Sequence, residues 1–199
     1  MIYRIINISE SCYSEELYQK AYLAMTSQRQ AKADRYKQEA DKRCCVFADM
    51  LLREMLGEYF CIESPEFYTD EKGKPHLKGD TVHFSISHSG DYIACAAGSA
   101  PVGIDIEKIR TVELSLIKRV CTDEELSYVL SGNNADCERF LQVWCAKEAY
   151  LKYTGQGLSG GLKSITVADK AGIKSNPLPH LKLEAFSTEE YVCAIINES

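Results

Sequence analysis

Residues 103–107, Gly-Ile-Asp-Ile-Glu, constrain the fold more than any other stretch of the 199-residue chain. Isoleucine and acid alternate with period two, the pattern of a strand. Ile104 and Ile106 then face a core, and Asp105 and Glu107 share the opposite face. Their carboxylates would stand about 6–7 Å apart along the strand, within reach of one ion. Further on, residues 144–152, Trp-Cys-Ala-Lys-Glu-Ala-Tyr-Leu-Lys, read as a helix on which Glu148 and Lys152 share a face at i,i+4. Three acids with nearby cations suggest a hard divalent metal holding a phosphate-bearing ligand. Taken singly, each piece has a plainer meaning: the wet face of a strand, a surface Glu–Lys pair, a core indole.

Composition bounds the alternatives. With 45% hydrophobic and 26% charged residues, the chain has the balance of an ordinary globular protein with a real core. No apolar run is long enough to span a bilayer, and residues 1–6 lack the layout of a signal peptide. No membrane partner is expected. Nine cysteines are many, but the count is odd and no Cys-x-x-Cys occurs. Cys95, Cys145 and Cys193 sit in apolar stretches, where cysteine acts as a small hydrophobe. Reduced thiols in a cytoplasm are expected, with neither a disulfide framework nor a zinc site. A net charge of −6 disfavours nucleic acid. Arg29, Lys32, Arg35, Lys37, Lys42 and Arg43 nevertheless form a local basic run. It reads equally as a phosphate or acidic-partner patch and as a solvated helix face.

The expected elements alternate between helices and short strands. Residues 1–8 read as a strand, and Ser14 opens a helix carrying Leu17, Ala21 and Met25. A long helix covers 40–57, striped by Val46, Phe47, Met50, Leu51 and Met55, with Gly57 as its stop. A strand at 66–69 and a turn at 71–75 precede strands at 82–87 and 92–97, which form a hairpin through Ser89-Gly90-Asp91. After the acidic strand come helices at 113–120 and 123–131. Thr122 and Glu125 make a capping box at the second. A helix at 136–153 closes at Gly155, and strands follow at 163–168, 181–186 and 190–196. The class is α+β, with two similar pseudo-twofold-related halves, 1–101 and 102–199, each a long helix packed on a small antiparallel sheet.

Two further strings carry possible chemistry. Phe84-Ser85-Ile86-Ser87-His88-Ser89-Gly90 runs from strand into turn, where Ser87, His88 and backbone amides could hold a phosphate. His88 taken singly reads better as a structural histidine. Residues 155–160 match G-x-G-x-x-G, but they follow a helix and precede a strand, the reverse of the dinucleotide-binding context.

In order along the chain, Gly73-Lys74-Pro75, Phe84 to Gly90, Gly103 to Glu107, Trp144 to Lys152 and Gly155-Gln156-Gly157-Leu158 resemble the 4′-phosphopantetheinyl transferases of the Sfp type. The resemblance implies that coenzyme A binds between the halves as co-substrate, with Mg²⁺ on its pyrophosphate. Asp105, Glu107 and Glu148 would be the metal acids. Glu148 would also be general base, directly or through a metal-bound water, and Lys152 would offset charge on the pyrophosphate. Arg43, Lys74, Ser87 and His88 match coenzyme A contacts, and Arg29 and Lys32 match a basic pair near the 3′-phosphate. Glu125 matches a further acidic position, which the capping box already explains. The partner implied is an apo acyl or peptidyl carrier protein, docked around 111–131 and modified on a serine. A monomer serving secondary metabolism is expected. The alternative is a catalytically silent module that binds coenzyme A or a carrier.

Overall fold

The computed structural model describes residues 1–71, 73–131, 137–157 and 161–198. The first half opens with β1 (Ile2–Asn7), followed by α1 (Glu15–Ala24), α2 (Ser27–Ala33) and α3 (Glu39–Phe60). A small ribbon, β2 (Phe67–Thr69) with β3 (Pro75–Leu77), leads to the hairpin β4 (His83–Ser89) and β5 (Tyr92–Gly98). The second half repeats this order. It runs β6 (Val102–Lys108), α4 (Leu114–Val120), α5 (Asp123–Val129), α6 (Cys137–Thr154), the ribbon β7 (Ala168–Asp169) with β8 (Gly172–Ile173), and the hairpin β9 (Leu181–Ser187) and β10 (Tyr191–Glu198). The two antiparallel sheets have matching orders, β1-β5-β4 and β6-β10-β9. The expected α+β class and duplicated layout are therefore both present.

Strand alternation sorts the side chains into three cores. On β5, Ile93, Cys95 and Ala97 join the α3 residues Phe47, Leu51, Leu52 and Met55. The other face of β5, Tyr92, Ala94 and Ala96, meets Ile104 and Ile106 of β6 and Cys193 and Ile195 of β10 between the sheets. On β10, Val192, Ala194 and Ile196 turn outward to Phe140, Leu141, Cys145 and Ala149 of α6. The layers run helix, sheet, sheet, helix. Each fully buried Leu, Ile or Phe contributes about 1.5–3 kcal/mol. β5 is buried on both faces, which is why its sequence shows no polar alternation.

Local signals explain most helix ends. Ser14 Oγ accepts from Leu17 N at 3.2 Å, and Thr26 caps α2. The capping box at Thr122 and Glu125 is formed as expected. Gly57 does not stop α3. The helix runs on to Phe60 and ends where Cys61 takes a left-handed conformation, φ 57°. The strand expected at 163–168 is confined to Ala168–Asp169, and α2 is a helix of its own that the sequence pattern did not separate. Expectations for Lys72, Asp136 and Leu158, including the last part of the 155–160 string, lie outside the described residues.

Among the described residues, no helix is long and apolar enough to cross a membrane.

Candidate functional site

Gly103 sets the distance between α6 and β6. A Cβ there would come within 1.9 Å of Ala149 O and 2.8 Å of Tyr153 N. Only glycine lets the helix backbone lie directly on the strand. That contact turns the α6 face carrying Trp144, Glu148 and Lys152 toward Asp105 and Glu107.

Asp105 is buried. Its Oδ1 accepts from Lys152 Nζ at 2.7 Å and from Ser87 Oγ at 2.7 Å. Lys152 also donates to Ile104 O at 3.1 Å. Glu107 Oε2 accepts from Ser89 Oγ at 2.8 Å, with Arg110 at 4.0 Å. The Trp144 indole, the chain's single tryptophan, also favours its charged form. Burial nevertheless pushes the Glu107 carboxyl up, and the Asp105 charge adds to this. Glu148 is pushed up too, first by burial and then by Asp105, against the pull of Lys152.

Two carboxylate oxygens in this group, Asp105 Oδ2 and Glu148 Oε1, are buried without a hydrogen-bond partner. The Cys145 thiol lies beside Asp105, but sulfur is a weak donor. Among the described residues, no three His, Cys, Asp or Glu side chains form a ready-made metal cage. Mg²⁺ keeps several waters and takes one or two carboxylates together with substrate phosphates. Orphaned buried carboxylate oxygens are groups that a hard cation would satisfy.

A cavity of about 360 Å³ opens beside Glu148, lined by residues of both halves. The second half contributes Glu148, Leu151 and Lys152, and the first contributes Arg29, Lys32, Lys74 and His88 beside an apolar wall of Tyr36, Ala48, Phe84 and Ile86. Lys74 donates to Lys152 O at 2.5 Å, and burial pulls its ammonium pKa down. Burial likewise lowers that of His88, so its neutral form is favoured. Arg29 is fixed by Asp49, with Nε to Oδ1 at 2.7 Å. Lys32 is exposed at the rim.

Two residues expected to contact coenzyme A do not line this cavity. Arg43 bonds Glu15 and Tyr13 O, both at 2.9 Å, and is not among the residues lining the cavity. Ser87 spends its hydroxyl on Asp105. Glu125 is a buried structural acid. It accepts from Thr122 N at 2.7 Å, Val167 N at 2.8 Å and Lys147 Nζ at 2.9 Å. Lys147 was not foreseen as buried; it also bonds Leu162 O and Ile165 O. Asp49 was missed as the anchor of Arg29, although a lone acid within the apolar run 44–52 was a signal for a buried pair.

A family model described as the 4′-phosphopantetheinyl transferase superfamily matches residues 101–196, and one described as the 4′-phosphopantetheinyl transferase N-terminal region matches 13–100. The chain belongs to this superfamily. Among curated relatives, it is 31% identical to 4′-phosphopantetheinyl transferase Sfp of Bacillus subtilis, over 77% of this chain and 70% of that protein. It is 35% identical to 4′-phosphopantetheinyl transferase psf-1 of Bacillus pumilus, over 70% of this chain and 61% of that protein. The chain thus spans less than two thirds of the psf-1 protein. A third relative, 4′-phosphopantetheinyl transferase HetI of a Nostoc species, is 32% identical over 77% of this chain and 69% of its own length. The junction between the two family matches falls between β5 and β6, where the repeat of the element order begins.

Proposed function

We propose that this superfamily member transfers the 4′-phosphopantetheine arm of coenzyme A to a serine of an apo acyl or peptidyl carrier protein, releasing adenosine 3′,5′-bisphosphate. One observation carries the reading: a single cavity joins a cationic wall from the first half to Glu148 of the second, whose buried Oε1 lacks a hydrogen-bond partner. Cations and acids so close suit a polyphosphate with a divalent ion between them.

The first half would hold the nucleotide end, with Arg29, Lys32, Lys74 and His88 toward phosphate and Tyr36, Phe84 and Ile86 offering an apolar wall. Asp105, Glu107 and Glu148 would hold Mg²⁺, which when bound would neutralise the pyrophosphate and polarise its oxygens. The carrier serine hydroxyl attacks the β-phosphorus while the bond to the bridging oxygen of the leaving nucleotide breaks. Glu148 is suited to take the serine proton, because burial pushes its carboxyl up. Lys152, held on Asp105, can shift toward the charge that develops on the departing phosphate. Positioning and charge stabilisation dominate such a transfer.

The remaining features are read in the same way. Nine free cysteines suit a reducing cytoplasm. Two halves of one chain supply both walls, which suits a monomer. The test is incubation with an apo carrier, coenzyme A and Mg²⁺, followed by intact-mass measurement of the carrier. A gain of one phosphopantetheine, lost with EDTA, is expected. No gain with fatty-acid, polyketide or peptide carriers, while coenzyme A still binds, would leave a silent binding module.

A further inference from the structure

β4 and β6 run side by side where the two sheets meet, but they are not neighbours in a backbone ladder. Serines at alternate positions of β4 join them instead. Ser85 Oγ accepts from Ile104 N at 3.1 Å, Ser87 Oγ donates to Asp105 Oδ1 at 2.7 Å, and Ser89 Oγ donates to Glu107 Oε2 at 2.8 Å. Phe84, Ile86 and His88, on the other face of the strand, line the cavity together with Ser85, whereas Ser87 and Ser89 do not.

We propose that Ser87 and Ser89 are positioning residues for the second half's metal carboxylates rather than contacts to coenzyme A. The inference rests on the metal-site reading above. A carboxylate on a strand can rotate about its side-chain bonds, and a hydroxyl donated to one oxygen fixes which oxygen is left for an ion. On Asp105 both donors occupy Oδ1 and leave Oδ2 bare. On Glu107 the Ser89 hydroxyl occupies Oε2, and the Trp144 indole lies on the same carboxylate. The first half thus tunes an ion site whose acids all belong to the second. Groups that orient metal ligands in this way typically matter by about 10–100-fold in affinity.

The test compares Ser89→Thr with Ser89→Val, and Ser87→Thr with Ser87→Val. Both replacements are β-branched and fit a strand, and they differ only in hydroxyl against methyl. Mg²⁺ affinity is measured by calorimetry on the coenzyme A-saturated protein, alongside metal-free coenzyme A affinity and thermal melting. The valine variants are expected to bind Mg²⁺ about 10–100-fold more weakly, with metal-free coenzyme A affinity unchanged, and the threonine variants to recover most of the loss. Wild-type Mg²⁺ affinity in folded valine variants, or a loss shared equally by threonine and valine, would overturn the proposal. So would a loss of metal-free coenzyme A affinity in the valine variants alone. Failure of the wild-type protein itself to bind Mg²⁺ with coenzyme A would instead strike the metal-site reading.

Discussion

The two halves each bury one ion pair between their second and third helices, with opposite polarity and different consequences. In the first half Arg29 of α2 meets Asp49 of α3, and in the second Glu125 of α5 meets Lys147 of α6. The second pair is sealed. Both side chains have no exposure, and Lys147 and both Glu125 oxygens find backbone partners as well. The first pair is open on one side. Asp49 is shared with Arg53 at 2.6 Å, and Arg29 uses only Nε on it while lining the cavity. A satisfied buried pair fixes the fold around it. A buried pair with donors to spare presents a rigid charge to a ligand.

The largest effect should come from breaking the sealed pair. Lys147→Met would leave Glu125 buried without its cation, costing about 3–5 kcal/mol, read from urea unfolding. A loss below 1 kcal/mol would show that the pair is not what holds α5 to α6. Next, Glu148→Gln should lower transfer about 10²–10⁴-fold with an unchanged melting temperature; near-normal turnover would remove Glu148 as base. Arg29→Met should cost less stability than Lys147→Met, because Arg53 remains on Asp49. It should weaken coenzyme A by the worth of a charged hydrogen bond, about 1.5–3 kcal/mol. Equal affinity would mean that Arg29 is as structural as Lys147.

The smallest effect concerns pH. The Glu107 and Glu148 carboxyls are raised in the folded protein, so the folded state holds its protons more tightly than the unfolded chain does. Metal-free stability should therefore fall as pH rises through the ordinary glutamate value toward the raised ones, then level off. In the proposed site Mg²⁺ would compete for the same groups. Its affinity should begin to fail on acidification at a higher pH than ordinary glutamates would give. Calorimetric titrations across this range check both trends, and an Mg²⁺ affinity flat down to the ordinary glutamate range would exclude these two acids as ligands.

Much of the second half was legible because its chemistry lies on regular elements. Residues 103–107 alternate on a strand, 144–152 repeat on a helix, and period alone puts Asp105 with Glu107, and Glu148 with Lys152, on shared faces. Gly103 looked like an ordinary member of its motif; its contact with Ala149 O depends on how helix and strand pack, which no local pattern encodes. The first half was less legible. Arg43 and Ser87 carry suitable groups, yet their directions are set by tertiary partners, Glu15 and Asp105. Glu125 has a capping-box signature that explained its backbone role, but its partner Lys147 belongs to a distant helix. The α3 stop was misread at Gly57 because glycine is tolerated within a helix when packing on either side is strong; burial of Met55 and Leu56 carries the helix through.

The most direct test of a site shared between halves is calorimetric titration of coenzyme A with and without Mg²⁺, for wild type, Asp105→Asn and Arg29→Met. Mg²⁺ should tighten binding in wild type. That gain should vanish in Asp105→Asn, while Arg29→Met should bind more weakly with or without the metal. Equal coenzyme A affinity with and without Mg²⁺ in wild type, or an Arg29→Met defect confined to the metal-dependent part, would contradict it.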